Sequence, residues 1–337
     1  MRRGFKFYVA VRQEIKIKTS VRRSFKFNRA ARRSVKFKAS LPREIKFSAD
    51  ARRERKIRVI AGQGLKFYAT ARHRISKRTR MSLLSVSGLS HSFVDFSFFG
   101  KAREKPVLQD VSFEIGCGEA LGLLGKSAGG KSTIAKIISG LLKPSAGEIK
   151  FEGRVPDFSS LAGRRAFYRN VQIVFQDSLG AVNPRFSVRE IIEEPLLYLS
   201  ERSREQRRER ALSLLEKVEL KSELLDKRAS MLSGGQLQRV CIARALAVGP
   251  KLIILDEALS SLDTPLQSEI LKLLQALKGQ SSFLFITHDI RLARLFCERI
   301  ILLDRGRIAQ SVRSGEKFTS EIGRQLEDAV LPPFPLG

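Results

Sequence analysis

The chain has 337 residues, 43% of them hydrophobic, so it is long enough to bury a substantial core in one or two domains. Its formal charge of +29 is uneven, because residues 1–80 hold 27 basic and 4 acidic side chains, whereas the remaining 257 residues hold 36 and 30. Whole-chain charge therefore does not argue for a nucleic-acid partner, and three widely spaced cysteines argue against a disulfide framework.

The N-terminal 70 residues repeat with a period of ten, with a lysine followed by Phe or Ile from Lys6 to Lys66. Neither helical nor extended geometry collects enough apolar side chains on one face to build a core. Three interpretations of residues 1–80 stay open: a disordered basic arm, a binder of nucleic acid or anionic lipid, and a tandem DNA repeat translated from a start codon set too far upstream. In the third, Met81 is the natural first residue.

A phosphate-binding turn follows. The stretch "EALGLLGKSAGGKSTIAKIISGLL" at 119–142 predicts a strand, a glycine turn and a helix. Gly125 to Ser132 match the pattern G-x-x-x-x-G-K-[ST], in which backbone N–H groups and the helix N-terminus cradle phosphates. We expect Lys131 to contact the β and γ phosphates and the Ser132 hydroxyl to hold Mg²⁺.

A second strand carries acids at its end. The stretch "KLIILDEALSSLD" at 251–263 opens with an apolar run typical of a strand buried on both faces, and Asp256 and Glu257 follow. One acid can hold Mg²⁺ and the other can orient or deprotonate an attacking water. His288 follows the apolar stretch "SFLFIT". Taken alone, it is typical of a hydrogen bond at a strand end.

The stretch "MLSGGQLQRVCIARALAVGPK" at 231–251 places a glycine pair at a helix start. With these motifs in order, residues 82–310 resemble the ATP-binding subunits of ABC transporters. The resemblance implies an α/β fold with a P-loop NTPase core at 81–310, a helical subdomain inserted at about 177–235, and a short tail at 311–337.

The resemblance also implies a role for each motif. The residues implied to be catalytic are Glu257, His288, Lys131 and Gln176. Those implied to bind Mg²⁺ are Ser132, Gln176 and Asp256. The ATP contacts are Phe93 on the adenine and the loop residues Gly125, Lys126, Ser127, Ala128, Gly129, Gly130, Lys131, Ser132 and Thr133. Asp263 belongs to the D-loop. The signature residues Ser233, Gly234, Gly235 and Gln236 contact the ATP of the opposite subunit. Ala128 departs from the family, which usually has glycine there.

The insertion carries its own helix signals. Ser187 with Glu190, and Ser203 with Gln206, have capping-box spacing. One apolar face is predicted for Ala211, Leu214, Leu215 and Val218.

The sequence "AVNPRFSVREIIEEPL" is similar to the sequences of the peptide and nickel importer branch of the family. The C-terminal sequence "AVLPPFPLG" favours a nickel importer. A dipeptide or oligopeptide importer is the alternative, and a nucleic-acid-associated ATPase is a more remote one.

The implied cofactors are ATP and Mg²⁺. The implied partners are two membrane permease subunits, a second ATP-binding subunit (a different one or a second copy) and an extracytoplasmic substrate-binding protein, with no specific nucleic acid. The implied location is peripheral, at the cytoplasmic face of the inner membrane.

Overall fold

The computed structural model describes residues 16–17, 45–49, 56–61, 65–70, 82–96, 102–126, 129–260 and 262–329, and the chain divides into two units, 1–79 and 80–337. In the first unit, four strands pair antiparallel in the order β1-β4-β3-β2. They are β1 (Lys16–Ile17), β2 (Ile45–Ala49), β3 (Lys56–Ala61) and β4 (Leu65–Thr70). The interpretations of residues 1–80 concern residues that lie mostly outside the described part, so they stay predictions.

The second unit is organised by a six-stranded sheet of order β13-β12-β7-β11-β10-β9. Its strands are β7 (Ala120–Gly125), β9 (Val171–Val174), β10 (Leu252–Asp256), β11 (Ser282–Ile286), β12 (Arg299–Asp304) and β13 (Arg307–Arg313). Five strands run parallel, and only the edge strand β13 is antiparallel. The strands predicted before the glycine turn and before Asp256 are thereby confirmed.

Strands β7, β10 and β11 are buried at every position, because helices and a second sheet cover both faces. Successive side chains point to opposite faces, and the two cores follow that alternation. Leu121, Ile254 and Leu284 belong to one core, whereas Leu255 and Phe283 belong to the other.

A three-stranded antiparallel sheet, of order β6-β5-β8, closes the first of these cores. Its strands are β5 (Ser82–Phe96), β6 (Ala102–Gly116) and β8 (Ala146–Phe151). Helix α1 (Lys131–Ile138) contributes four buried apolar residues to the same core. The helix that follows the glycine turn is therefore fixed by packing on both sides.

The remaining helices are α2 (Leu161–Asn170), α3 (Val188–Leu199), α4 (Arg204–Lys217), α5 (Gly234–Leu246), α6 (Thr264–Leu277), α7 (Ile290–Phe296) and α8 (Glu321–Asp328). Two 3-10 turns, Ser222–Leu224 and Ala229–Met231, connect α4 to α5. Both predicted capping boxes are present, at the starts of α3 and α4, and so is a third at α5. The predicted apolar face is confirmed, since Ala211, Leu214, Leu215 and Val218 are all buried.

The C-terminal boundary predicted at residue 310 falls inside β13, which pairs with β12 as far as the match of Arg299 with Arg313. Beyond it, Phe318 is buried in the core and α8 follows. The sheet therefore extends further than the sequence motifs do. Within the described residues, none of the helices combines the length and the apolar character required to cross a bilayer.

The leucines of the second unit offer a matched test of core packing. Leu284→Ala should lower the free energy of unfolding by about 2–5 kcal/mol, because Leu284 is fully buried in β11 and its truncation leaves a cavity. Leu295→Ala should change it by less than about 0.5 kcal/mol, because Leu295 is 65% exposed on α7. Urea denaturation of the two variants measures both values, and equal losses would contradict the assigned core.

Candidate functional site

The predicted site residues follow the ends of neighbouring parallel strands. The glycine loop follows β7, Gln176 follows β9, Asp256 ends β10 and His288 follows β11. Since β7, β11, β10 and β9 are consecutive in the sheet and point the same way, these segments leave it at one edge. Ligands of open parallel sheets bind outside this edge.

The glycine loop ends at Gly130, the N-cap of α1, with a φ of 96°. A Cβ at this position would lie 2.7 Å from Leu108 Cδ2 and 3.0 Å from the Val107 carbonyl oxygen, so only glycine fits. Ser127 and Ala128 lie outside the described residues. The expectation that Ala128 is tolerated in place of glycine therefore stays a prediction.

Lys131 is buried at the start of α1 and is held by the loop itself. Its Nζ donates to the carbonyl oxygen of Gly125 at 3.0 Å and to that of Lys126 at 2.9 Å. The same Nζ lies 3.4 Å from Glu257 Oε1. The ammonium group therefore stands between the glycine loop and the acid that follows β10.

Asp256 is the buried acid of the site. The Ser132 hydroxyl donates to Asp256 Oδ1 at 3.1 Å, which joins α1 to the end of β10. Burial raises the pKa of Asp256, and the charge of Glu257 adds to that effect, while the Ser132 hydrogen bond and Lys131 oppose it. A nearby cation would compensate a buried carboxylate, and the Asp256 and Ser132 oxygens are the ligand type that Mg²⁺ prefers.

Glu257 lies at the centre of the polar cluster. It contacts Lys131 through Oε1, and its Oε2 lies 3.5 Å from His288 Nδ1. Its backbone has a φ of 49°, a conformation rarely adopted outside glycine, and the Ser260 hydroxyl donates to its carbonyl oxygen at 2.7 Å. Strained backbone of this kind is concentrated at functional positions.

Among the described residues, the other predicted residues form no hydrogen bond or ion pair with this cluster. Gln176 is exposed and has no side-chain hydrogen bond among the described residues. Phe93, 46% exposed, lies on β5, where its ring meets that of His91 edge-on at 4.7 Å.

The signature residues form the start of α5, where the Ser233 hydroxyl accepts from Gln236 N and Gly234 is exposed. In the described hydrogen bonds they make no contact with the cluster around Glu257. Asp263 is the N-cap of α6 and accepts from Leu266 N.

One residue of the site was not predicted from sequence. Gln267 Nε2 donates to the carbonyl oxygens of Leu259 and Leu262, at 2.9 and 3.0 Å, and so fixes the segment that follows Glu257. The sequence signal that could have identified Gln267 is its position four residues, about one helical turn, after Asp263.

The described cluster combines three chemical capabilities. A glycine loop with a buried ammonium binds phosphate. Asp256 with Ser132 offers oxygen ligands to a divalent cation. Glu257, between Lys131 and His288, is placed as a base that can accept a proton from water. Phosphoryl transfer to water needs this set of groups.

Comparison with known proteins agrees with the geometry. The ABC transporter family profile matches residues 108–260. The chain is 48% identical over 260 residues, covering 76% of this chain and 97% of that protein, to the "Nickel import ATP-binding protein NikE" of Escherichia coli (strain K12). The identity and coverage are the same for the protein of that name from Shigella boydii serotype 4 (strain Sb227).

Solved structures of similar fold include the dimeric ATP-binding cassette MJ0796 bound to ADP and Pi, in a post-hydrolysis state. It has a TM-score of 0.63 and 31% identity, covering 69% of this chain and 99% of that one. A second is cbiO1 from Clostridium perfringens, part of the ABC transporter complex cbiONQ, with a TM-score of 0.60 and 28% identity, covering 73% of this chain and 99% of that one.

Lysine variants test the phosphate-binding loop. Lys131→Met should weaken binding of a fluorescent ATP analogue about ten- to hundredfold, because charge-assisted hydrogen bonds contribute about 1.5–3 kcal/mol. Lys143→Met removes the same charge at an exposed position beyond α1 and should leave the affinity unchanged. Equal affinity of the Lys131 variant and the unmodified chain would exclude the loop as the phosphate site.

Proposed function

Because the chain belongs to the ATP-binding subunits of ABC transporters, we propose that it hydrolyses MgATP to drive nickel import. The proposed site is the edge of the sheet at which β10 ends. The observation that carries the hydrolytic mechanism is the contact of Glu257 with both Lys131 and His288, at 3.4 and 3.5 Å. It supports the proposal of Glu257 as the base and Lys131 as the phosphate-binding ammonium, at the edge of the sheet where the glycine loop begins.

In the proposed reaction, the glycine loop and Lys131 bind the β and γ phosphates of ATP. Glu257 accepts a proton from a water molecule whose oxygen attacks the γ phosphorus, and the bond from that phosphorus to the β–γ bridging oxygen breaks to release ADP. His288 contacts the γ phosphate, and Gln176 approaches it from the end of β9. Positioning and charge stabilisation provide most of the catalysis in such reactions.

Ser132 and Asp256 are the residues proposed to hold Mg²⁺, with Gln176 joining them. The fit rests on the buried Asp256 carboxylate, whose raised pKa reflects a charge that a cation would compensate. Mg²⁺ supplies charge neutralisation on the phosphate oxygens when it is bound. Phe93 is proposed to stack on the adenine, and its exposed ring on β5 is free of the core.

The active form is proposed to be a dimer of ATP-binding subunits, with either a different partner or a second copy. Support comes from α5, whose start exposes Ser233 and Gly234. A helix N-terminus with glycines is an anion site, so these groups suit the ATP of the opposite subunit. The fold neighbour MJ0796 is itself described as dimeric.

Permease subunits are proposed to dock on the segment between β9 and the end of α3. Four large apolar side chains are exposed there: Leu179, Phe186, Leu197 and Tyr198. Exposed apolar residues concentrated on one segment are typical of an interaction surface. The helical subdomain proposed at about 177–235 contains all four. Docking there would hold the chain at the cytoplasmic face of the inner membrane, next to permeases that receive substrate from an extracytoplasmic binding protein.

Nickel is proposed as the substrate because the relatives named above are nickel import proteins and match over 97% of their length. Import of dipeptides is the second possibility, because the sequence of residues 181–196 is also similar to that of peptide importers. The substrate is proposed to pass through the permeases and not through this chain, so it has to be identified in the assembled transporter.

Glutamate variants test the catalytic assignment. Glu257→Gln should keep ATP affinity but lower the hydrolysis rate by at least about a hundredfold, because the amide cannot accept the proton. Glu152→Gln is a matched control, since Glu152 also has a positive φ, of 51°, and its side chain forms a surface ion pair with Lys251. Phosphate release measures both rates, and undiminished hydrolysis by the Glu257 variant would refute the assigned base.

Transport measurements test the substrate. In vesicles that hold the complete transporter and its binding protein, radioactive nickel should accumulate with ATP and should fail to accumulate with the Glu257→Gln variant. A dipeptide should neither compete with nickel nor raise the hydrolysis rate. Stimulation by a dipeptide without nickel uptake would assign the chain to peptide import instead.

A further inference from the structure

Gln238, on α5, is a buried polar residue that the proposed mechanism does not use. Its side chain is 1% exposed, and neither its Oε1 nor its Nε2 has a hydrogen-bond partner among the described residues. Leaving a buried amide without partners costs free energy, so buried polar groups are nearly always paired. An exception on the helix that begins with the signature residues calls for a reason.

The surroundings of α5 show what lies near Gln238. Helix α5 packs against α3 and against β9, the strand that leads to Gln176. Cys241 Sγ donates to the carbonyl oxygen of Ser178 at 3.8 Å, and Arg244 Nη1 donates to that of Ala181 at 2.8 Å. The helix is thus fastened to residues 175–181, which we term the Q-loop segment.

The two fastenings lie on one face of α5. They are three residues apart along the helix, which is about one turn. Gln238 is three residues before Cys241, so it lies on the same face of α5, one turn closer to the signature residues. The amide without partners therefore lies on the face of α5 that contacts the Q-loop segment.

We propose that Gln238 is a positioning residue whose amide hydrogen-bonds to the backbone of residues 175–178 when that segment brings Gln176 to the γ phosphate. The proposal rests on the proposed function, because it assigns Gln238 to the same reaction. A bond that forms only in the ATP-bound arrangement favours that arrangement, since a ligand shifts an equilibrium through differences in contacts between its two states. Movement of the Q-loop segment would then be passed to the signature residues, which begin the same helix.

The test is Gln238→Met in the complete transporter, because methionine has a similar volume and no amide. The melting temperature of the chain should stay the same or rise, since a buried group without partners is removed. The kcat/KM for ATP should fall about tenfold, the effect of losing one hydrogen bond in the ATP-bound productive state.

Hydrogen exchange supplies a second readout that a purely structural role would not move. Binding of a non-hydrolysable ATP analogue should slow exchange of the amides of residues 175–181 in the unmodified chain but not in the variant. Gln275→Met is the matched control: its amide donates to the Leu295 carbonyl oxygen at 3.3 Å on an exposed face of α6, and its loss should leave kcat/KM for ATP and exchange unchanged.

Gln238→Leu guards against an effect particular to methionine. A lower melting temperature in both variants would mean that the amide supports the resting fold, and it would overturn the proposal, as would an unchanged kcat/KM for ATP. Failure of the unmodified transporter to hydrolyse ATP would instead reject the proposed function, so the two failures are distinguishable.

Discussion

The chemistry of this protein depends on the parallel order of four strands. Because β7, β11, β10 and β9 are neighbours that point the same way, the glycine loop, His288, Glu257 and Gln176 leave the sheet at one edge. The parallel pairing brings residues separated by more than a hundred positions in the chain to one site. The buried apolar runs of these strands, packed on both faces, keep that edge in place.

At this edge of the sheet, Lys131 and Asp256 are buried side chains of opposite charge. The Lys131 ammonium is buried, donates to two loop carbonyls and lies 3.4 Å from Glu257 Oε1, while Asp256 is buried with a raised pKa and accepts from the Ser132 hydroxyl. Both groups would gain from a ligand of opposite charge: phosphate for the ammonium, a divalent cation for the carboxylate. This arrangement supports the proposed binding of a nucleotide with its metal, in which phosphate would release Glu257 from Lys131.

Much of this arrangement could be predicted from sequence, because it depends on local patterns. The apolar sequence of Leu252–Asp256 predicts a buried strand, and the spacing of Ser187 and Glu190 predicts a capping box. Each of these signals is contained within a few residues. The positive φ of Glu257 and the missing partners of Gln238 could not be predicted. Both arise from tertiary packing between segments distant in sequence. Strand β13 continues past residue 310 for the same reason, since no motif marks its pairing with β12.

The central claim is that Lys131 exchanges Glu257 for phosphate. A structure of the assembled transporter with Mg²⁺ and a non-hydrolysable ATP analogue measures this directly, through the distance from Lys131 Nζ to Glu257 Oε1, which is 3.4 Å here. The account predicts that Nζ moves onto the β and γ phosphates, leaving Glu257 to face the position of the attacking water. Retention of the 3.4 Å pair with the phosphates bound away from Lys131 would contradict it.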